Sequence, residues 1–174
     1  DDSEVADRIR QYRSFGLGKG WGTNYKMTKV QAAVGLVQLR RLDEMNALRR
    51  KRALQRTELL KDVPELTLPY EPPGYLHAYY LYNILVPCEW AGEKRNRLMQ
   101  ILADEYRIGC VVANPPTYKS NKLIREHTAG QEVSLAEEIG ERLFCPCLHP
   151  LMSEEDNEYV AAAIIEAVER LREA

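Results

Sequence analysis

Apolar residues fall at helical spacing at the start of the chain, where Val5, Ile9 and Tyr12 stand among charges and predict a helix from Ser3 to about Phe15. Gly16 stops it, and Gly16-Leu17-Gly18-Lys19-Gly20-Trp21-Gly22 reads as a flexible loop. Thr28 and Gln31 then form a Thr-x-x-Gln capping box. Behind it Val30, Val34, Val37, Leu42, Met45, Leu48, Leu54, Leu59 and Leu60 follow one another up to Pro64, with no proline between. This predicts a single long helix over residues 28–61, spanning roughly 45 Å at the helical rise. A helix of that length in a small domain crosses the body or an interface.

After Pro64 the period changes. Leu66-Thr67-Leu68 reads as a short strand, Glu71-Pro72-Pro73-Gly74 as a turn, and Tyr79 to Val86, rich in aromatic and β-branched residues, as a buried strand. Glu93 to Tyr106 returns to helical spacing, and Gly109 to Val112 reads as a strand broken by Asn114-Pro115-Pro116. Ser134 and Glu137 form a second capping box, opening a helix to about Leu143. Phe144 to Leu148 is a brief extended piece that Pro146 assigns to a sheet edge, and Ser153 caps a last helix through Val160, Ile164, Val168 and Leu171. Short strands among helices predict an α+β domain, with the strand order left open.

With 24 Lys+Arg against 26 Asp+Glu in 174 residues, the chain lacks the basic excess of a dedicated nucleic-acid binder. No apolar run is long enough to span a bilayer, and Asp1-Asp2-Ser3-Glu4 is no signal peptide. Cys88, Cys110, Cys145 and Cys147 lack disulfide-framework or zinc spacing and read as reduced thiols of a cytoplasmic protein, with Cys145 and Cys147 lining a core strand. His77, His127 and His149 stand apart from metal-ligand spacing and read as structural or surface side chains. Arg49-Arg50-Lys51-Arg52 and Arg56 read as a solvated helix face with ion pairs, since Asp43, Glu44 and Glu58 share the helix.

The glycine loop matches neither G-x-G-x-x-G nor the P-loop. It leads through Thr23-Asn24-Tyr25-Lys26-Met27 to a helix start, where amides, a lysine and the positive helix end favour an anion; a plain loop and cap is the competing reading.

Gly22-Thr23-Asn24-Tyr25-Lys26-Met27, followed by Gln31-Ala32-Ala33-x-Gly35-Leu36-x-Gln38-Leu39-x-x-Leu42-Asp43, closely resembles the signature of the DegT/StrS sugar aminotransferases. Three more blocks agree in order: Asp2 to Gly16, His77-Ala78-Tyr79-Tyr80-Leu81-Tyr82, and Leu148-His149-Pro150-x-x-Ser153-Glu154-Glu155-Asp156. The resemblance covers nearly the whole chain. It implies pyridoxal 5'-phosphate, a homodimer with the active site at the interface, and the small C-terminal domain of a fold type I aminotransferase, a short mostly antiparallel sheet packed with helices. Residues 1–27 would be the opening helix and glycine-rich loop to the active site, and 28–174 the small domain.

The family's Schiff-base lysine lies upstream of the block that opens this chain, so the resemblance implies a C-terminal portion that alone does not transaminate. In the intact enzyme, Asn24 would reach the phosphate of the partner's cofactor, and Trp21, Tyr25 and Lys26 would shape the substrate pocket. Lys26 stands where the family more often has arginine, and keeps the charge without the bidentate fork. Where the family often has Val-His-Tyr-Pro-Pro-x-His, this chain has Val112-Ala113-Asn114-Pro115-Pro116-Thr117-Tyr118, making Asn114 and Tyr118 candidate substrate contacts. The implied reaction passes an amino group from glutamate or glutamine to a keto sugar, commonly nucleotide-linked; a keto-cyclitol substrate, or a non-catalytic dimerisation or binding module, is the alternative. Separated from the rest of such an enzyme, the long helix and the loop near Trp21 would expose apolar faces.

Overall fold

The computed structural model describes residues 2–113 and 115–173, which divide into two compact units, Asp1–Asp43 and Glu44–Ala174. The division falls inside the long helix.

In the first unit, helix α1 (Ser3–Tyr12) begins where the Asp2 carboxylate accepts from the backbone N–H groups of Glu4 and Val5. It ends at Tyr12, short of the expected Phe15, because Phe15, Gly16 and Leu17 take left-handed backbone angles with φ of 57°, 76° and 48°. The two ends of the glycine segment are tied together by backbone hydrogen bonds. The Thr23 N–H donates to the Tyr12 carbonyl at 2.8 Å, and Phe15 and Tyr25 N–H donate to Thr23 and Arg13 carbonyls at 3.1 Å. Gly22 makes this crossing possible: a Cβ there would collide with the Gly16 backbone nitrogen and come within 2.8 Å of the Tyr12 carbonyl oxygen. The long helix α2 runs over Lys29–Leu60, 32 residues, and opens with the expected box. Thr28 N–H donates to Gln31 Oε1 at 2.9 Å, and Gln31 N–H donates to Thr28 Oγ1 at 3.3 Å.

The second unit is α+β. Its sheet holds β1 (Ile84–Leu85), β2 (Cys110–Val111) and β3 (Leu143–Pro146) in the order β1-β3-β2, with both flanking strands antiparallel to β3. The expected strand from Tyr79 shrinks to β1, since Tyr79 itself has φ 48°, and the Leu66–Leu68 strand to a single bridge between Thr67 and Leu85. The Phe144–Leu148 piece is central instead of an edge. Pro146 is accommodated because β1 pairs with Leu143 and Phe144 while β2 pairs with Cys145 and Pro146, so the proline borders a partner on one side alone. Helix α3 (Glu93–Asp104) connects β1 to β2 and packs on α7 (Glu154–Arg172), which Ser153 and Asp156 open with a reciprocal capping box. Between them run α4 (Thr117–Ser120), α5 (Lys122–His127) and α6 (Ser134–Arg142). The expected box at Ser134 does not form, because Glu137 turns its side chain to other partners. The core joins Ala53 and Leu60 of α2 to Tyr82, Ile84, Leu98, Leu102, Phe144, Ile164 and Val168.

The basic segment is not a solvated face. Arg56 is completely buried, with Nε donating to Asn157 Oδ1 at 2.9 Å, Nη1 to the Cys147 carbonyl at 2.8 Å and Nη2 to Met152 Sδ at 3.3 Å. Its guanidinium lies 5.4 Å from the Tyr82 ring centroid and meets no carboxylate among the described residues. Burial lowers its pKa from the usual value. Arg50 grips Glu71 with two nitrogens and also donates to the His77 carbonyl at 2.7 Å; Arg52 donates to the Met152 carbonyl at 2.8 Å and pairs with Glu154. These side chains are internal clamps. Ala53, Arg56 and Leu60 share one helical stripe, and that stripe, rather than the charge, was the signal of burial.

Candidate functional site

Trp21, Asn24, Tyr25 and Lys26 sit on this loop of the first unit, all exposed. Tyr12 at the end of α1 packs between two of them: its ring is edge-on to Trp21 at 5.0 Å and stacked with Tyr25 at 6.2 Å. These contacts hold the aromatic rings to the loop while leaving Trp21 74% and Tyr25 70% exposed. Lys26 Nζ lies 4.9 Å from the Phe15 ring centroid. Asn24 forms a β-bridge with Ser14 and presents an exposed carboxamide just before the α2 start. An open trough of about 580 Å³ beside it is lined by Val5, Arg8, Ile9, Tyr12, Arg13 and Tyr25. At the α2 start itself the geometry is that of a plain cap, with Thr28 Oγ1 occupying the Gln31 N–H.

Tyr118 belongs to the second unit and lines a separate cavity of about 540 Å³ with Pro115, Pro116, Thr117, Ser120 and Ile124. Its phenol donates to Glu137 Oε1, and Lys119 Nζ pairs with Glu137 Oε2 at 2.8 Å. Lys119 and then Tyr118 hold the Glu137 carboxyl below the usual carboxylate range, and the same bond raises the Tyr118 phenol. Arg125 braces the segment, donating from Nε to the Tyr118 carbonyl at 3.1 Å and from Nη2 to the Lys119 carbonyl. Asn114 lies outside the described residues. Glu137 was read from sequence as a helix cap, and no local pattern marks it as a partner of Tyr118.

His77 Nδ1 accepts the Tyr79 N–H at 2.8 Å, and no metal-holding cluster of His, Cys, Asp or Glu occurs among the described residues. Cys145 is buried as expected, whereas Cys147 is exposed; burial pushes the Cys110 thiol up to about 12, far from a reactive thiolate. Among the described residues no helix is long and apolar enough to cross a membrane.

The sequence model described as the DegT/DnrJ/EryC1/StrS aminotransferase family matches residues 1–165. The chain belongs to this family. Family members are pyridoxal-phosphate-dependent aminotransferases of sugar and polysaccharide biosynthesis. The spore coat polysaccharide biosynthesis protein SpsC of Bacillus subtilis (strain 168) is 29% identical over 97% of this chain, which spans 48% of SpsC. The solved structure of an aminotransferase, TlmJ, from Streptoalloteichus hindustanus is 25% identical with a TM-score of 0.83, over 98% of this chain and 46% of that one. A Bacillus subtilis structure, NtdA with bound cofactor PMP, is 21% identical with a TM-score of 0.82, covering 97% of this chain and 40% of NtdA; that likeness concerns the fold. This chain therefore spans about half the length of the first of these relatives.

Proposed function

We propose that this chain is the small-domain portion of a pyridoxal-phosphate-dependent aminotransferase that acts on a keto sugar, with glutamate or glutamine as amino donor and a nucleotide-linked sugar as the preferred substrate class. The observation that carries the reading is the loop Trp21–Lys26: an exposed amide, two exposed aromatic rings and a lysine, held in place by backbone bonds at a helix start. In this reading the working enzyme is a cytoplasmic homodimer, and the cofactor-anchoring lysine lies in the part of the enzyme outside this chain. Residues 1–27 bring the loop to the active site and the second unit supplies the small domain.

The donor chemistry of Asn24 fits the cofactor. An exposed carboxamide offers N–H groups to a phosphate oxygen without adding charge, and Lys26 supplies positive charge nearby in sequence. The bound cofactor supplies the electron sink for amino transfer. Asn24 holds its phosphate from across the interface, Trp21 and Tyr25 cover the ring face of the sugar, and Tyr118 meets a sugar hydroxyl. In the full-length enzyme Asn24→Ala weakens cofactor affinity by roughly tenfold or more, the scale of one hydrogen bond to a charged group. A spectroscopic titration of pyridoxal phosphate checks this, and unchanged affinity removes the role.

A further inference from the structure

A phenol has one proton to donate and lone pairs with which to accept, so the direction of its first hydrogen bond decides what it offers to a ligand. In Tyr118 the proton is committed. The acceptor is Glu137 Oε1, a carboxylate held below its usual range and ionised at neutral pH with or without Lys119, which takes the other oxygen at 2.8 Å. An ionised carboxylate only accepts, which fixes the direction of the Tyr118 bond. Lys119 is paired with Glu137, while Arg125 keeps its charge and directs it at the carbonyls of Tyr118 and Lys119. The remaining lining is Pro115, Pro116, Ile124, Val133 and Ala136 with the hydroxyl-bearing Thr117 and Ser120.

We propose that Glu137 is a positioning residue that turns Tyr118 into a hydrogen-bond acceptor, so that the phenol favours a ring hydroxyl of the substrate, which can donate to it, over a phosphate or carboxylate oxygen, which only accepts. The inference deepens the keto-sugar reading and rests on Tyr118 meeting the substrate. It assigns the cavity to the sugar ring rather than to the anionic part of a nucleotide-linked substrate. The sequence shows Tyr118 alone; the direction of its bond comes from a residue nineteen positions away on α6.

The test uses the full-length enzyme, a nucleoside-diphosphate 4-ketohexose, and counterparts of that sugar each lacking one ring hydroxyl. The wild type loses roughly tenfold in kcat/KM on one of these counterparts, chiefly through KM. Tyr118→Phe abolishes that selectivity, Glu137→Gln reduces it severalfold, and Lys119→Met, which leaves the Tyr118–Glu137 bond in place, retains it. In parallel, with tyrosine-selective isotope labelling, the wild-type Tyr118 phenol titrates above the ordinary tyrosine range and returns toward it in Glu137→Gln. Selectivity kept in Glu137→Gln but lost in Tyr118→Phe overturns the role of Glu137 and leaves Tyr118 on the substrate. Selectivity unchanged in Tyr118→Phe, or absent at every ring position in the wild type, overturns the substrate contact itself. If Glu137→Gln does not fold, the wild-type titration still decides the bond: a phenol in the ordinary range overturns the proposal. Loss of selectivity in Lys119→Met overturns it too, because the ion pair rather than the phenol would then set the preference.

Discussion

Along α2, the stretch from Lys29 to Leu42 carries Val30, Val34, Leu36, Val37 and Leu39 and leaves them exposed, Val30 at 74% and Leu39 at 66%. The stretch from Arg49 to Leu60 carries Arg49, Arg50, Lys51, Arg52 and Arg56, yet it buries Ala53, Arg56 and Leu60 completely. Hydropathy and burial run in opposite directions on one helix. The difference lies in partners. In the second stretch, loop carbonyls, an amide oxygen and a thioether receive the guanidinium groups, so the desolvated charge is repaid by hydrogen bonds. The first stretch has no such complement among the described residues of its own unit.

The sharpest way to break this contrast is to remove the buried charge. Arg56→Ala strands Asn157 and the Cys147 carbonyl and lowers stability by about 3–5 kcal/mol, whereas Arg40→Ala in the exposed stretch changes it by less than about 0.5 kcal/mol. Urea denaturation of the two variants side by side measures both; equal losses would erase the distinction between the stretches. Next in size is the start of the helix. Thr28→Ala removes a cap worth about 1 kcal/mol, and the same assay shows whether the exposed stretch depends on its own first turn.

Acid tests the Arg50 clamp. Glu71 is held down to about 2 by Arg50 and by the His77 N–H, so its folded value is depressed below the unfolded one. The stabilisation is therefore present above an ordinary carboxylate pKa and is lost as pH falls from about 4.5 toward about 2. Denaturation midpoints across that window fall in the wild type and flatten in Glu71→Gln; an unchanged slope would detach the clamp from stability. The smallest effect is on the exposed side. Leu39→Lys leaves the midpoint within about 0.5 kcal/mol while reducing self-association of the isolated chain in sedimentation. A large loss of stability would mean that Leu39 is packed.

The longer helices were legible because their signals are local, whereas the short α4 and α5 were not read from the sequence. The box at Thr28 and the cap at Ser153 form as read, and the box at Ser134 fails, where Lys119 and Tyr118 compete for Glu137 across the fold. Strands were less legible because a strand exists only where a partner lies alongside. Tyr79 to Val86 has strand composition throughout, but β3 reaches only Ile84 and Leu85. In the candidate site, Asn24, Trp21 and Tyr25 could be named from the motif, while the packing of Tyr12 on two of them and the Glu137 bond to Tyr118 needed three dimensions.

Arg56 also sets an order of events. Its acceptors are at Cys147, Met152 and Asn157, the last 101 residues along the chain. During synthesis the guanidinium emerges long before anything exists to receive it, and until then water is its best partner. The second unit can collapse around Ala53 and Leu60 early, but it cannot dehydrate Arg56 until the start of α7 arrives. A buried cation with distant acceptors thus keeps its water until the start of α7 is made, and the rest of α7 completes the core after it.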